Sequence, residues 1–265
     1  MADVLLDSSP LAPGRAGVRI HYRDAGDGPP IVILHGGWGY DAYPFDRQIA
    51  TLAPRHRIVI PDRTGYGRSE PIGTLAIDFH QSAAEETLAV IEALRLDRPI
   101  LWGHSDGAII ALLIGLQAPH RIAGAIVEAT HYFRHKPASR PFFEGIVAKP
   151  RAAFRALHSR TWIRIVDESA PGDDFYGGRL SVLRVPVLLV HGGRDPRTEP
   201  GEFAALSAAL QTVPSRTLLL SEGGHSPHSE PATTAQVTGA AVSFVDDLRR
   251  RESPSVMHVT GPPTR

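Results

Sequence analysis

The stretch Ile100-Leu-Trp-Gly-His-Ser-Asp-Gly-Ala-Ile-Ile-Ala-Leu-Leu-Ile114 decides the fold class of this chain. It begins with a short apolar run, continues through Gly103-His-Ser-Asp-Gly107, and ends with a longer apolar run. Short apolar runs are typical of buried strands, and longer ones of helices. The stretch therefore predicts a strand, a sharp turn and a helix, and the turn has the pattern G-x-S-x-G.

Short apolar runs recur on both sides of this stretch, and none of them alternates polar with apolar residues. They are Ile31-Val-Ile-Leu34, Ile58-Val-Ile60, Ala125-Ile-Val127, Val187-Leu-Leu-Val190 and Leu218-Leu-Leu220. Strands that are covered on both faces have uninterrupted apolar runs of this kind, which favours a parallel sheet. Residues 76–96, 107–117, 201–211 and 233–250 have helical patterns. The alternation predicts an α/β, doubly wound sheet. Only residues 18–23 alternate, which predicts an antiparallel strand near the sheet edge.

One segment interrupts this alternation. Between Thr130 and about Gly178 there is no buried-strand run, but there are four prolines and short amphipathic pieces. We interpret residues 131–180 as a helical insertion in a core formed by residues 1–130 and 181–252. Residues 253–265 are expected to be a disordered tail.

The inserted segment is also basic. Residues 131–166 contain a single acid, Glu144, and eight bases: Arg134, Lys136, Arg140, Lys149, Arg151, Arg155, Arg160 and Arg164. One interpretation is a solvated helical face. The other is a basic lid that attracts anionic substrates.

Composition excludes several classes of protein. Basic and acidic residues number 28 each, whereas a nucleic-acid binder usually has a basic excess. There is no cysteine, which excludes disulfides, thiolate metal sites and a cysteine nucleophile. No apolar run approaches 18 residues, and the first seven residues lack the features of a signal peptide. We therefore expect a cytoplasmic protein that contacts neither membrane nor nucleic acid.

Ser105 at the centre of G-x-S-x-G is the candidate nucleophile. A sharp turn here would force Ser105 into a strained backbone conformation, and Gly103 and Gly107 remove side chains that would clash. The next helix begins at Asp106, so its first N–H groups would point at a developing oxyanion.

A serine nucleophile needs a base, and the base needs an orienting acid. Asp195 follows the predicted strand ending at Val190, and His225 follows the one ending at Leu220. Both therefore lie at the sheet edge that carries Ser105, in the chain order Ser…Asp…His. Two alternatives stay open: His228 as the base and Glu128 as the acid. Asp62 also ends a strand, but its surroundings indicate a structural turn.

The glycine-rich turn His35-Gly-Gly-Trp38 follows the first buried strand. It would supply one oxyanion N–H, from Gly37 in preference to Trp38, and Asp106 would supply the other. Trp38 and His104 are the predicted substrate-binding residues, and Tyr40 is a further pocket candidate.

Taken together, these motifs resemble those of the α/β-hydrolase superfamily. The resemblance rests on His35-Gly-Gly, Asp62-Arg-x-Gly-x-Gly-x-Ser69, Gly103-His-Ser-Asp-Gly107, His191-Gly-Gly-Arg-Asp195 and Gly224-His225. It implies an eight-stranded, mostly parallel sheet, a Ser105–Asp195–His225 triad, a cap at residues 131–180, no metal and no organic cofactor. Ser105 stands where epoxide hydrolases and haloalkane dehalogenases have an aspartate, which disfavours those reactions. Asp106 resembles the residue found in some amino-acid-ester and carbon–carbon bond hydrolases.

The predicted function is hydrolysis of small carboxylic esters by a serine hydrolase. The same triad would also serve lactone, amide or carbon–carbon bond hydrolysis, or perhydrolysis. A hypothesis of another class is a non-catalytic receptor for a small ligand. The expected partner is a small-molecule substrate, and a homodimer stays open. A metal hydrolase is disfavoured, because the histidines form neither H-x-H-x-D-H nor H-E-x-x-H.

Overall fold

The computed structural model describes residues 1–149 and 152–252, and its centre is an eight-stranded sheet. The spatial order of the strands is β1-β2-β4-β3-β5-β6-β7-β8. β3 to β8 run parallel, whereas β1 and β2 are antiparallel to their neighbours. This confirms the predicted sheet. The strands are β1 (Ala2–Leu6), β2 (Val18–Ala25), β3 (Pro30–Leu34), β4 (Arg57–Pro61), β5 (Ile100–His104), β6 (Gly124–Glu128), β7 (Val187–Gly192) and β8 (Ser215–Leu220).

Helices cover both faces of the sheet, because the side chains of its central strands point alternately to the two sides. In β5, Leu101 belongs to the core under α2 and α3, whereas Ile100 and Trp102 belong to the core under α1 and α7. The doubly wound arrangement is therefore confirmed. The helices are α1 (Asp46–Leu52), α2 (Phe79–Ala93), α3 (Asp106–Gln117), α4 (Arg140–Ala148), α5 (Ala153–Glu168), α6 (Glu202–Ala209) and α7 (Thr234–Glu252).

The predictions were wrong at the two edges of the sheet. β1 was not predicted, because only Leu6 of its five residues is buried and the strand carries no apolar run. The apolar run at β8 predicts a strand covered on both faces, yet β8 is an edge strand and Leu219 is 54% exposed. An apolar run thus indicates a strand without fixing whether both of its faces are covered.

The segment between β6 and β7 contains α4, α5 and an isolated bridge between Phe133 and Asp174. Its assignment as a cap stays a prediction, and Arg151 lies outside the described residues. The predicted tail, residues 253–265, also lies outside them. Within residues 1–149 and 152–252, no helix is long and apolar enough to cross a membrane.

Candidate active site

Ser105 lies in a sharp turn between β5 and α3. Its φ of 55° and ψ of −120° are unusual for a residue with a side chain. A Cβ on Gly103 would lie closer than 3.0 Å to backbone atoms of Gly107, and a Cβ on Gly107 equally close to the Leu34 carbonyl. Both glycines are therefore required sterically, since neither contact can relax by moving a side chain.

The Gly107→Ala substitution should destabilise the protein by about 3 kcal/mol, because the added methyl group overpacks the turn against backbone. Gly239 in α7 is the matched control, since a Cβ there would meet no atom within 4 Å. Gly239→Ala should stabilise the protein by about 0.5–1 kcal/mol through helix propensity. Denaturant unfolding of both variants checks this, and equal stabilities would contradict the steric argument.

The structure brings the three predicted catalytic side chains into one hydrogen-bonded chain. The distance from His225 Nε2 to Ser105 Oγ is 3.1 Å, and from His225 Nδ1 to Asp195 Oδ2 it is 2.8 Å. An ionised Asp195 can only accept, so Nδ1 carries the proton and Nε2 is free to accept from the serine hydroxyl. This tautomer is the one that a general base needs.

The surroundings of His225 and Asp195 favour this protonation state. Burial, and then the positive charge of Arg197, lower the pKa of His225 below its ordinary value. Burial acts to raise the pKa of Asp195, but the hydrogen bond from His225 and the N–H of Arg197 outweigh it and keep this pKa low. At neutral pH the site therefore holds a carboxylate and a neutral imidazole.

The two alternative residues, Glu128 and His228, form a separate buried pair. Glu128 Oε1 accepts hydrogen bonds from the His228 backbone N–H at 2.9 Å and from its Nδ1 at 2.7 Å. His228 Nε2 lies 3.1 Å from the Tyr43 carbonyl oxygen, and the ring stacks on Phe45. Both ring nitrogens of His228 are thus engaged away from Ser105, which favours His225 as the base.

The glycine-rich loop after β3 passes directly beside Ser105. A Cβ on Gly36 would lie 3.1 Å from the Ser105 Cβ, and one on Gly37 would lie 3.0 Å from Asp106 Oδ2. His35 holds the loop, because its Nδ1 bonds to the Gly36 carbonyl at 2.8 Å and its Nε2 accepts the backbone N–H of Arg63 at 3.1 Å. The structure therefore places Gly36 against Ser105 and Gly37 against the side chain of Asp106, and the oxyanion role of Gly37 stays a prediction.

Two histidines that the sequence analysis did not select bind the side chain of Asp106. His158 Nε2 lies 2.6 Å from Oδ2, and His80 Nε2 lies 3.1 Å from Oδ1. Burial acts to raise the pKa of Asp106, but the histidines hold it well below the ordinary value. Both carboxylate oxygens are thus occupied and buried, which leaves the backbone N–H as the group that Asp106 offers to a substrate. No sequence motif marked either histidine.

The two predicted substrate-binding residues have different surroundings. Trp38 is half-buried, and its ring lies 6.0 Å from that of Phe142 and 5.5 Å from that of His158. His104 is 2% exposed, and its Nε2 donates to the His225 carbonyl at 2.8 Å. His104 thus supports the loop that carries His225, and neither His104 nor Trp38 lines the cavity beside His225, so their roles in substrate binding stay predictions.

Three of the eight bases of the expected basic lid form ion pairs with acids in the part of the chain that the structure describes. Lys136 is 0% exposed, forms an ion pair with Glu202, and has its Nζ 3.1 Å from His131 Nδ1. Arg140 pairs with Asp167 at 2.9 Å, and Arg164 pairs with Glu168 at 3.0 Å. Asp167 and Glu168 lie immediately after residue 166, so these pairs reduce the positive charge of the segment but leave it with more bases than acids.

The described residues contain no group of three or more His, Asp or Glu side chains arranged to hold a metal ion. The fold and site together define a hydrolase-like arrangement, with a serine at a strand–helix turn and a histidine and an aspartate on later loops of the same sheet edge. A family model described as "Alpha/beta hydrolase family" matches residues 31–237. This match covers well over half of the chain, which therefore belongs to the alpha/beta hydrolase family.

Two curated relatives illustrate the range of the family. The chain is 27% identical to Serine hydrolase BPHL of Mus musculus over 199 residues, which is 68% of each protein. It is 29% identical to Haloalkane dehalogenase 2 of Mycobacterium tuberculosis over 147 residues, which is 55% of this chain and 50% of the dehalogenase. The match thus spans about half the length of that relative.

Solved structures support the fold. A thermophilic esterase from Thermogutta terrifontis is similar over 94% of this chain and 99% of its own, with a TM-score of 0.70 and 19% identity. At this identity the similarity concerns the fold alone.

Proposed function

We propose that this protein is a serine hydrolase that cleaves small carboxylic esters through an acyl-enzyme intermediate. The observation that carries the proposal is the hydrogen-bonded chain from Asp195 through His225 to Ser105, on a turn where Ser105 has a φ of 55°. A serine hydroxyl is a weak nucleophile, and a neutral imidazole that accepts its proton activates it. The family also includes a relative named as a serine hydrolase, which supports the same chemistry.

In the first half of the reaction, Ser105 Oγ attacks the ester carbonyl carbon while His225 Nε2 takes the hydroxyl proton. Asp195 keeps the imidazole in the reactive tautomer and stabilises the imidazolium that forms. The carbonyl oxygen becomes an oxyanion, which the backbone N–H groups of Gly37 and Asp106 stabilise. His225 then gives its proton to the departing alkoxide as the carbon–oxygen bond breaks, and the acyl group stays on Ser105.

In the second half, a water molecule replaces the alcohol. His225 takes a proton from this water, and the resulting hydroxide attacks the acyl carbon. Collapse of the second tetrahedral intermediate breaks the bond to Ser105 Oγ, which recovers its proton from His225. The products are a carboxylic acid and an alcohol, and the enzyme returns to its starting state.

The chemistry of the nucleophile also separates this chain from some of its relatives. In the superfamily that the sequence resembles, haloalkane dehalogenases and epoxide hydrolases have an aspartate as the nucleophile. This chain has Ser105 at that position. A cavity of about 350 Å³ lies beside His225. Its volume is at the lower end of the usual range for small-molecule sites, which favours small substrates.

Turnover of a substrate panel tests the proposal. The panel contains methyl esters of graded acyl length, with lactones, amides and a vinylogous diketo acid as competing substrates. We expect the highest kcat/KM on a short ester, together with burst release of alcohol, because acylation precedes the slower hydrolysis of the acyl enzyme. Turnover of another substrate class alone would replace the ester assignment. Binding without turnover of any of them would favour the receptor hypothesis.

A further inference from the structure

The cavity beside His225 is lined on one side by an arginine that the proposed mechanism does not use. Arg197 lies two residues after Asp195, in the loop that follows β7. The cavity is also bounded by the aromatic rings of Tyr43 and Phe142. His225 links this cavity to the nucleophile, because its Nε2 lies 3.1 Å from Ser105 Oγ. A substrate that reacts at Ser105 and occupies this cavity would therefore contact Arg197.

The guanidinium of Arg197 is held by stacking. Its central carbon lies 4.2 Å from the ring centre of Phe142 and 5.7 Å from that of Trp38, both within the range of cation–π contacts. A planar guanidinium that packs against an aromatic ring keeps its N–H groups at its edge. Arg197 also hydrogen-bonds the side chain of Tyr43, and because a guanidinium has five N–H donors, others are left for a carboxylate, which arginine binds through two parallel hydrogen bonds.

The positive charge of Arg197 is poorly compensated. Across residues 1–149 and 152–252, no carboxylate forms a salt bridge with it, and Asp195 is engaged with His225 Nδ1 and the backbone N–H of Arg197. Glu230 also lines the cavity, but its two oxygens accept the backbone N–H groups of Gly224 at 2.7 Å and Ser226 at 2.9 Å. A half-buried charge in this situation favours an incoming anion.

We propose that Arg197 determines specificity by pairing with a carboxylate on the substrate, so that the preferred substrates are esters that carry a second, ionised carboxyl group. This inference rests on the proposed ester hydrolysis and names its substrate class. It places the anion-binding charge in the loop after β7 and not on the inserted helices, where Arg140 and Arg164 already have acidic partners.

Matched substrate pairs test the inference, because an isopropyl group has nearly the shape of a carboxylate without its charge. On the acyl side the pairs are monomethyl succinate with methyl 4-methylpentanoate, and monomethyl glutarate with methyl 5-methylhexanoate. On the alcohol side the pair is O-acetylglycolate with isobutyl acetate. We expect kcat/KM for the anionic member of at least one pair to be about tenfold higher or more, as for a charge-assisted hydrogen bond.

Three variants assign the preference to a residue. Arg197→Met should reduce the anionic-to-neutral ratio of kcat/KM to about one, and Arg197→Lys should give an intermediate ratio because lysine keeps the charge without the planar fork. Arg134→Met is the matched control, since the Arg134 guanidinium also lies over an aromatic ring, that of Phe175 at 5.2 Å, but bonds to Ser169 and the Ile77 carbonyl and does not line the cavity beside His225. The control variant should keep the wild-type ratio.

The pH profile provides a readout that loss of packing alone would not move. The groups that face His225 are Asp195 and Arg197 from the loop after β7, His104 from β5, Ser105 from the turn, and His131 with Lys136 from the segment after β6. The charge of Arg197 lowers the pKa of His225, so a carboxylate bound to Arg197 should raise it. The acid limb of kcat should therefore lie at higher pH for the anionic substrate than for its neutral isostere, and Arg197→Met should abolish the difference.

The outcomes separate the inference from the function on which it rests. Equal kcat/KM within every pair, with Ser105 still forming an acyl enzyme, would reject the role of Arg197 and keep the ester hydrolase. A preference that survives in Arg197→Met would also reject it, because another cation would then be responsible. Absence of turnover for all six esters would reject the proposed function itself.

Discussion

The Ser105→Ala variant should lose about 10⁴-fold or more in kcat on the best ester of the panel, because triad members act as a unit and the remaining groups provide only binding and oxyanion stabilisation. KM should rise toward the dissociation constant of the substrate, because the variant forms no acyl enzyme whose accumulation lowers KM in the wild type. Steady-state kinetics on the purified variant measures both constants. A decrease of less than about tenfold would exclude Ser105 as the nucleophile.

Covalent labelling checks the same residue independently. A fluorophosphonate probe reacts when a serine oxygen attacks phosphorus and fluoride departs, so it reports an activated serine without any need for a natural substrate. We expect one adduct on Ser105, identified by peptide mass spectrometry, and none in Ser105→Ala. Ser226 provides an internal control, because it lies in the loop of His225 but its Oγ bonds to His104 Nε2 at 3.1 Å. An adduct on Ser226 would contradict the assignment.

The elements that the sequence predicted share one physical cause. Strands β3, β4, β5, β6 and β7 are apolar on both faces, so each appears as an uninterrupted run, and glycines mark the turns where a Cβ would strike backbone. The candidate triad could be predicted from the sequence for the same reason. Ser105, Asp195 and His225 all follow such strands, and the carboxyl ends of parallel strands share one edge of the sheet.

The parts that the sequence did not predict depend on packing between distant segments. His158 on α5 reaches Asp106 from 52 residues away, and Lys136 is paired with Glu202, 66 residues further along the chain. The number of lysines and arginines in the inserted segment carries no information about such pairs. This is why Lys136 was counted as part of a basic surface, although it is 0% exposed.

The base assignment leads to an equally large expected effect. His225→Ala should lower kcat by about 10⁴-fold or more, comparable to Ser105→Ala, since the hydroxyl then has no proton acceptor. His228→Gln is the matched control, because the amide can still donate to Glu128 while the imidazole is removed. We expect it to keep most of its activity. The opposite ranking, measured on variants shown by circular dichroism to be folded, would make His228 the base.

The orienting acid can be separated from its competitor in the same way, by two isosteric changes that leave the packing intact. In Asp195→Asn the amide N–H₂ can donate to Nδ1, which moves the imidazole proton to Nε2 and removes the acceptor that Ser105 needs. A decrease in kcat of about 10⁴-fold is expected, as for the corresponding change in other triads. Glu128→Gln alters a carboxylate whose partners within residues 1–149 and 152–252 are His228 and Trp102, so its effect on kcat should be small. The residual activity of Asp195→Asn should increase at alkaline pH, because hydroxide can then act as the base in place of His225. A larger loss in Glu128→Gln than in Asp195→Asn would place the acid on β6 and would require His225 to turn away from the 2.8 Å contact that it makes with Asp195.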